Sequence, residues 1–222
     1  MCSKAAANCF PGDATVTLAT GAAKAMRDLT VGDKVMVAKE DGSIRFEDVY
    51  FFDHQVDGGA HEFVRLALAD GRALELTGGH FLPVGESLDA ATMTRARDVA
   101  AGAPLLVLAG GAGAKGVEPV VVTAVSRVAK AGLFAPVTAS GTVVVDGVVA
   151  SAYSDWVLDP LFDALGATHK LPAAMHVVHA PLRLAYSLLG ARAMRALSPI
   201  VSGVAMLDTA QIAAGLGLTV SA

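Results

Sequence analysis

A cysteine near the beginning of a chain has one carbonyl within covalent reach, that of the residue before it. Here the pair is Asn8-Cys9, followed by Phe10-Pro11, and Cys9 is one of only two cysteines among 222 residues. Attack of its sulfur on the Asn8 carbonyl would turn the Asn8–Cys9 amide into a thioester, an N-to-S acyl shift. Tethering gives a high effective concentration, so the step needs no substrate pocket. It does need a reactive thiolate. It also needs the planar amide to be twisted or polarised, and an acid to protonate the departing nitrogen. Taken alone, Cys9 reads as a small buried apolar residue.

The stretch Leu76-Thr77-Gly78-Gly79-His80-Phe81 offers a group for each need. Thr77 stands three residues before His80, at the end of a strand-like run and across a Gly-Gly bend. That spacing turns a hydroxyl and an imidazole toward one point. His80 would protonate the nitrogen, and Thr77 would hydrogen-bond to the scissile peptide and hold it off-planar. The remaining histidines are scattered. His176 and His179 lie three apart, but nothing nearby in sequence completes a metal set. Cys2 and Cys9 are too few for a disulfide framework, and a bridge between them would close too short a loop to stabilise much. No cofactor or metal is expected.

These groups must be positioned by a body whose texture is β. Short apolar runs such as Asp33–Ala38, Arg45–Phe52, Glu62–Leu68, Pro104–Ala109, Pro119–Val128 and Thr142–Ala150 read as strands. They are punctuated by Thr20-Gly21, Asp41-Gly42, Asp70-Gly71 and Ser140-Gly141. Arg27–Val37 matches Arg97–Val107 at an offset of seventy residues, and Ala69–Leu76 resembles Ala139–Asp146 at the same offset. Two landmarks with one spacing predict two similar β-subdomains related by a pseudo-two-fold, with a site on the seam between them. Beyond residue 155 the apolar spacing becomes helical, over Val157–Leu165 and Ala173–Leu197. Pro199 is expected to break that helix.

Composition sets bounds. The length suits one large domain or one domain with an appendage, and 54% hydrophobic residues supply an ample core. A formal net charge of −4 with no Lys/Arg run argues against nucleic acid as a partner. A mean hydropathy of +0.53 suggests that some surface meets a lipid, a membrane or a partner. The first residues lack the apolar stretch of a signal peptide.

Together, Cys9–Val16 (CFPGDATV), Val31–Val35 (VGDKV), Thr77–His80 (TGGH) and Gly141–Tyr153 (GTVVVDGVVASAY) resemble a Hint domain, the fold shared by inteins and hedgehog C-terminal domains. The likeness is greatest to the hedgehog autoprocessing (Hog) domain. It spans residues 9–155 and continues more faintly through Ala180–Ala191. It implies a mainly β, pseudo-two-fold Hint-fold body with a C-terminal helical appendage. It implies Cys9 as nucleophile, Thr77 and His80 as the activating block, and Asn8–Cys9 as the cleavage site. It also implies that Asp53, in Phe51-Phe52-Asp53-His54, deprotonates the hydroxyl of a sterol co-substrate. The two phenylalanines would give the apolar surround in which a carboxylate becomes basic.

The expected organisation is an upstream stub (1–8), an autoprocessing domain (9–155) and an apolar helical region (156–222) that recognises sterol or lipid. The partners implied are the upstream polypeptide in cis, a sterol or lipid, and a membrane surface. The compartment implied is secretory or extracellular. One position departs from the family: where its SCY stretch has a cysteine, this chain has Ala152. Asn8 is the only asparagine and the sequence closes on LTVSA, so cleavage rather than ligation is expected. The competing readings are a catalytically silent lipid- or partner-binding module on a Hint body, and a cysteine protease acting on other chains. The second is weaker because Cys9 precedes a Pro-Gly turn instead of opening a helix.

Overall fold

The computed structural model describes residues 9–110, 113, 115–153 and 159–215, with side chains as far as residue 197. Asn8, Cys2 and the rest of the upstream arm lie outside the described residues.

The β body is built from β1 (Thr15–Thr17), β2 (Ala23–Ala25), β3 (Lys34–Ala38), β4 (Ile44–Leu68), β5 (Ala73–Leu76) and β6 (Phe81–Val84). It continues through β7 (Thr92–Arg95), β8 (Pro104–Leu108), β9 (Val117–Thr138), β10 (Thr142–Val145) and β11 (Val148–Ser151). The sheet runs β2-β1-β10-β11-β8-β9-β4-β3, with β5 on β4 and β6 joining β7 and β8.

The seventy-residue repeat is present as structure. A 3-10 turn at Met26–Asp28 has its counterpart at Ala96–Asp98, and β3 and β4 correspond to β8 and β9. Gly71 and Gly141, one repeat apart, take φ of 88° and 76°, the left-handed turn geometry that glycine adopts without strain. The halves meet along β4 and β9, antiparallel from Val49↔Thr138 to Leu68↔Val122. Leu66 of β4 and Phe134 of β9 join Phe10, Leu74, Leu105 and Val107 in the main core.

Strand boundaries differ from the sequence reading in instructive ways. Arg45–Phe52 and Glu62–Leu68 belong to one strand, because β4 crosses the glycine pair without ending. Pro119–Val128 likewise runs on within β9, which continues to Thr138. Conversely, the run Thr142–Ala150 is two strands, reversed at Asp146-Gly147 with φ of 50° and 80°. The Asp146 carboxylate accepts from the Thr15 backbone N–H (2.9 Å) and hydroxyl (2.8 Å), which fixes that turn against β1.

Three helices follow: α1 (Asp159–Ala164), α2 (Leu171–Val178) and α3 (Ala180–Gly215). α3 is interrupted at Gly190 (φ 75°, ψ 173°), not at Pro199 as the sequence suggested. Glycine is the one residue that reaches that conformation readily. The helices are docked on the body. Leu171 and Met175 of α2 enter a second core cluster with Tyr50, Phe51, Phe81, Ala152 and Tyr153. Each such side chain contributes about 1.5–3 kcal/mol by leaving water. From α3, Tyr186 donates to Asp48 (2.9 Å), the Arg195 Nε–H donates to the Val31 carbonyl (2.7 Å), and Met194 reaches the main core. At Gly32 an added Cβ would stand 2.7 Å from the Ala191 Cβ, so α3 and the turn before β3 approach as closely as glycine permits. Arg95, nearly buried, ties α1 to β7 through Asp159 (3.1 Å) and Asp163 (2.9 Å). The outer face is apolar: Leu184 is 60% exposed and Leu188 75%. Among the described residues no helix is long and apolar enough to cross a membrane.

Candidate active site

Cys9 is wholly buried, in a small cluster with Phe63, Leu133 and Ala135. Its backbone is clamped on both sides. Phe10 exchanges two hydrogen bonds with Phe134 of β9 (2.8 and 3.0 Å), and the Thr77 N–H donates to the Cys9 carbonyl (2.9 Å). The Cys9 N–H, which is the nitrogen of the Asn8–Cys9 peptide, donates to Thr77 Oγ1 at 2.8 Å. Thr77 therefore holds Cys9 by two reciprocal hydrogen bonds, one of them on the nitrogen of the peptide that precedes it.

His80 follows on the turn after β5. Its N–H donates to the Thr77 carbonyl (3.1 Å), so the threonine and the histidine are locked in one loop. The ring is buried and packs on Phe10, with ring centroids 4.4 Å apart. His80 Nε2 lies 2.7 Å from the Ser151 carbonyl at the end of β11. A carbonyl only accepts, so Nε2 carries a hydrogen and Nδ1 is the nitrogen whose protonation can change. Ser151 itself is held by its hydroxyl, which accepts from the Tyr153 N–H (2.9 Å). The structure thus links Cys9, Thr77 and His80 through Thr77, with the Ser151 carbonyl of the other half holding the His80 ring.

The Cys9–Thr77 bond gives a direct test of the clamp. Thr77→Val keeps the shape but leaves the buried Cys9 N–H without that acceptor. The variant is expected to lose about 1–3 kcal/mol in urea unfolding, with Thr77→Ser recovering most of it.

Asp53 stands apart from this group. It lies where the β4–β9 register slips, between the pairs Phe52↔Pro136 and Gln55↔Phe134. Asp53 and His54 together face Ala135, a two-against-one bulge that re-aims the side chains. Ala135 is also a member of the Cys9 cluster, so the bulge is the next stretch of β4 alongside the thiol's surroundings. Asp53 is not enclosed by phenylalanines alone. His179 Nε2 is 3.1 Å from its Oδ1, across 126 residues of sequence. Sequence reasoning gave His179 no role, and the spacing of His176 and His179 was its only visible mark.

Several groups surround this pair. Burial, partly opposed by Asp53, lowers the pKa of His54. Burial first, then the charges of Arg183 and His179, also lower that of His176. Neutral His176 suits its contact, because Nδ1 lies 2.9 Å from the Tyr153 hydroxyl and can accept a hydrogen bond from it. Burial raises the Tyr50 and Tyr153 hydroxyls, so both stay protonated. Among the described residues no group of three His, Cys, Asp or Glu could hold a metal ion.

The β body is thus duplicated, and its buried cysteine is pinned through its own peptide nitrogen. The family profile of the Hint module matches residues 2–184, and the chain belongs to the Hint family. Within it, the chain is 35% identical to Tiggy-winkle hedgehog protein of Danio rerio over 184 residues, 82% of this chain and 41% of that protein. It is 33% identical to Sonic hedgehog protein of Danio rerio, over 80% of this chain and 40% of that one. The chain therefore spans about two fifths of the length of these relatives. Among solved structures, the Ssp DnaB mini-intein variant M86 superposes with a TM-score of 0.56 at 13% identity, covering 67% of this chain and 96% of its own. An intein from a hyperthermophile gives 0.53 at 17% identity, covering 65% and 99%. Those two likenesses are of fold.

Proposed function

We propose that the chain is a single-turnover autoprocessing domain of hedgehog type. The Cys9 thiol gives up its proton to His80 Nδ1, Sγ adds to the Asn8 carbonyl carbon, the C–N bond breaks, and His80 passes that proton to the departing Cys9 nitrogen. The upstream peptide is then held as a thioester on Cys9. An external hydroxyl, that of a sterol, adds to the thioester carbonyl and gives up its proton to Asp53. The C–S bond breaks, and the upstream peptide leaves as an ester. Water or a small thiol in place of the sterol gives plain cleavage. The observation that carries this reading is the 2.8 Å hydrogen bond from the Cys9 N–H to Thr77, because it engages the one peptide nitrogen the reaction must release.

The helical region supports the choice of acceptor. Its exposed leucines and Val177, itself 70% exposed, offer an apolar face to a lipid or a membrane surface. The same face favours the second reading, a silent lipid-binding module. The partners of the domain are its own upstream polypeptide and the sterol, and its setting is the secretory route or the cell exterior.

The deciding experiment fuses a reporter ahead of Asn8. Dithiothreitol is expected to release the reporter at Cys9, and cholesterol in detergent to release it with the mass of one added sterol. A fusion that stays whole with both reagents leaves the silent binding module as the reading.

A further inference from the structure

The contacts of His179 go beyond the four residues assigned above. His179 caps the C-terminal end of α2, at the joint with α3, and is buried. Its ring packs between Tyr153 and Phe51, with centroids 5.4 and 6.3 Å away. Nδ1 lies 2.9 Å from the Met175 carbonyl, and Nε2 lies 3.1 Å from Asp53 Oδ1. A carbonyl and a carboxylate are both acceptors. Two such contacts require a hydrogen on each ring nitrogen, hence an imidazolium facing the Asp53 carboxylate. A helix C-terminus also favours a cation at that place. The contact to Met175 fixes the ring, and the fixed ring fixes Oδ1 of the carboxylate.

We propose that His179 is a positioning residue for the hydroxyl-transfer step: from the α2–α3 joint it orients Asp53, so that its other oxygen, Oδ2, takes the proton of the incoming hydroxyl. This rests on the autoprocessing reading and deepens it. The acyl shift uses groups of the β body alone, Cys9, Thr77 and His80. Hydroxyl transfer additionally uses a group delivered by the helices. Docking of the helical region therefore controls which nucleophile ends the reaction.

The charged and titratable neighbours define the pH behaviour. On the helical side these are His176 and Arg183, and on the body Tyr50, Tyr153 and His54. Burial acts to lower the His179 pKa, but the Asp53 bond and charge and the Met175 carbonyl outweigh it, against Arg183, and the net shift is upward. A histidine raised on folding keeps its contribution below its ordinary value of about 6.5 and loses it as pH climbs through the raised one. Hydroxyl transfer thus acquires an alkaline limb that belongs to His179.

The reporter fusion tests this with cholesterol and dithiothreitol as separate nucleophiles. His179→Ala is expected to lower the maximal rate of cholesterol-driven release about tenfold or more, with the half-saturating cholesterol concentration within about threefold. Thiol-driven release should fall by less than about threefold, which also reports that the variant folds. His179→Gln keeps an N–H for Asp53 and cannot titrate, so it should recover most of the rate at neutral pH and lack the alkaline limb. Equal losses with both nucleophiles in His179→Ala would make His179 a structural residue and overturn the assignment. So would undiminished cholesterol-driven release. An unmutated fusion silent toward both nucleophiles removes the autoprocessing reading and this assignment with it, whereas a releasing fusion indifferent to His179 removes the assignment alone.

Discussion

Cys9→Ala is expected to abolish release of an upstream reporter with every nucleophile, a loss of roughly 10⁴-fold or more, while the domain stays folded. The two halves of that expectation have separate grounds. Among the described site residues Cys9 alone carries a thiol, and neither the Thr77 hydroxyl nor the His80 imidazole is an equivalent nucleophile. Its structural share is small. Cys9 is secured by its backbone, through Thr77 and the Phe10–Phe134 pair, and the Cys9 cluster loses one sulfur atom to alanine. A truncation of that size in a small cluster costs about 1 kcal/mol. Release is read on a gel and folding by thermal unfolding. Continued thiol-driven release from Cys9→Ala would remove the thioester from the mechanism.

The second large effect belongs to His80. His80→Ala is expected to slow thioester formation, measured as thiol-driven release, by about 10²–10⁴-fold, the range for loss of a positioned acid. The reason is the leaving group, because an unprotonated amine returns to the carbonyl faster than it departs. The Ser151 carbonyl at Nε2 sets the tautomer and aims Nδ1. His80→Gln is expected to retain the fold by donating to Ser151 while remaining as slow as His80→Ala. Release by His80→Gln at the unmutated rate would assign the proton to another group.

The contrast between these residues and Asp53 follows what a linear sequence can carry. Thr77 and His80 were legible because a three-residue spacing over a Gly-Gly bend is local geometry, written where it acts. The duplicated body was legible because turn chemistry recurs at a fixed interval, as at Gly71 and Gly141. The continuity of β4 was hidden because Gly58 and Gly59, with φ of 94° and 71°, read as a terminus. Pairing with β9 carries the strand past them, and that ladder is tertiary. The hairpin at Asp146-Gly147 was obscured differently. Its Asp-Gly signal is present but sits between two short runs of valine that read as one strand. His179 could not have been matched to Asp53, since only the docking of α2 closes a gap of 126 residues. The Ser151 contact was invisible for another reason: it uses a main-chain carbonyl, which side-chain identity does not encode. For the same reason, Ala152 in place of the family cysteine leaves the His80–Ser151 contact intact.

The seam between the halves has a consequence for how such a molecule could arise. Either half alone would display the whole unpaired margin of its longest strand, β4 or β9, a length of backbone that seeks a partner. Two identical copies could satisfy each other by the same antiparallel ladder that now joins unlike ones, as a homodimer with symmetric corners. Fusion of the copies in tandem would free one corner to drift. The chain then keeps Cys9 in one copy and, in the other, the Ser151 carbonyl that steadies the His80 ring.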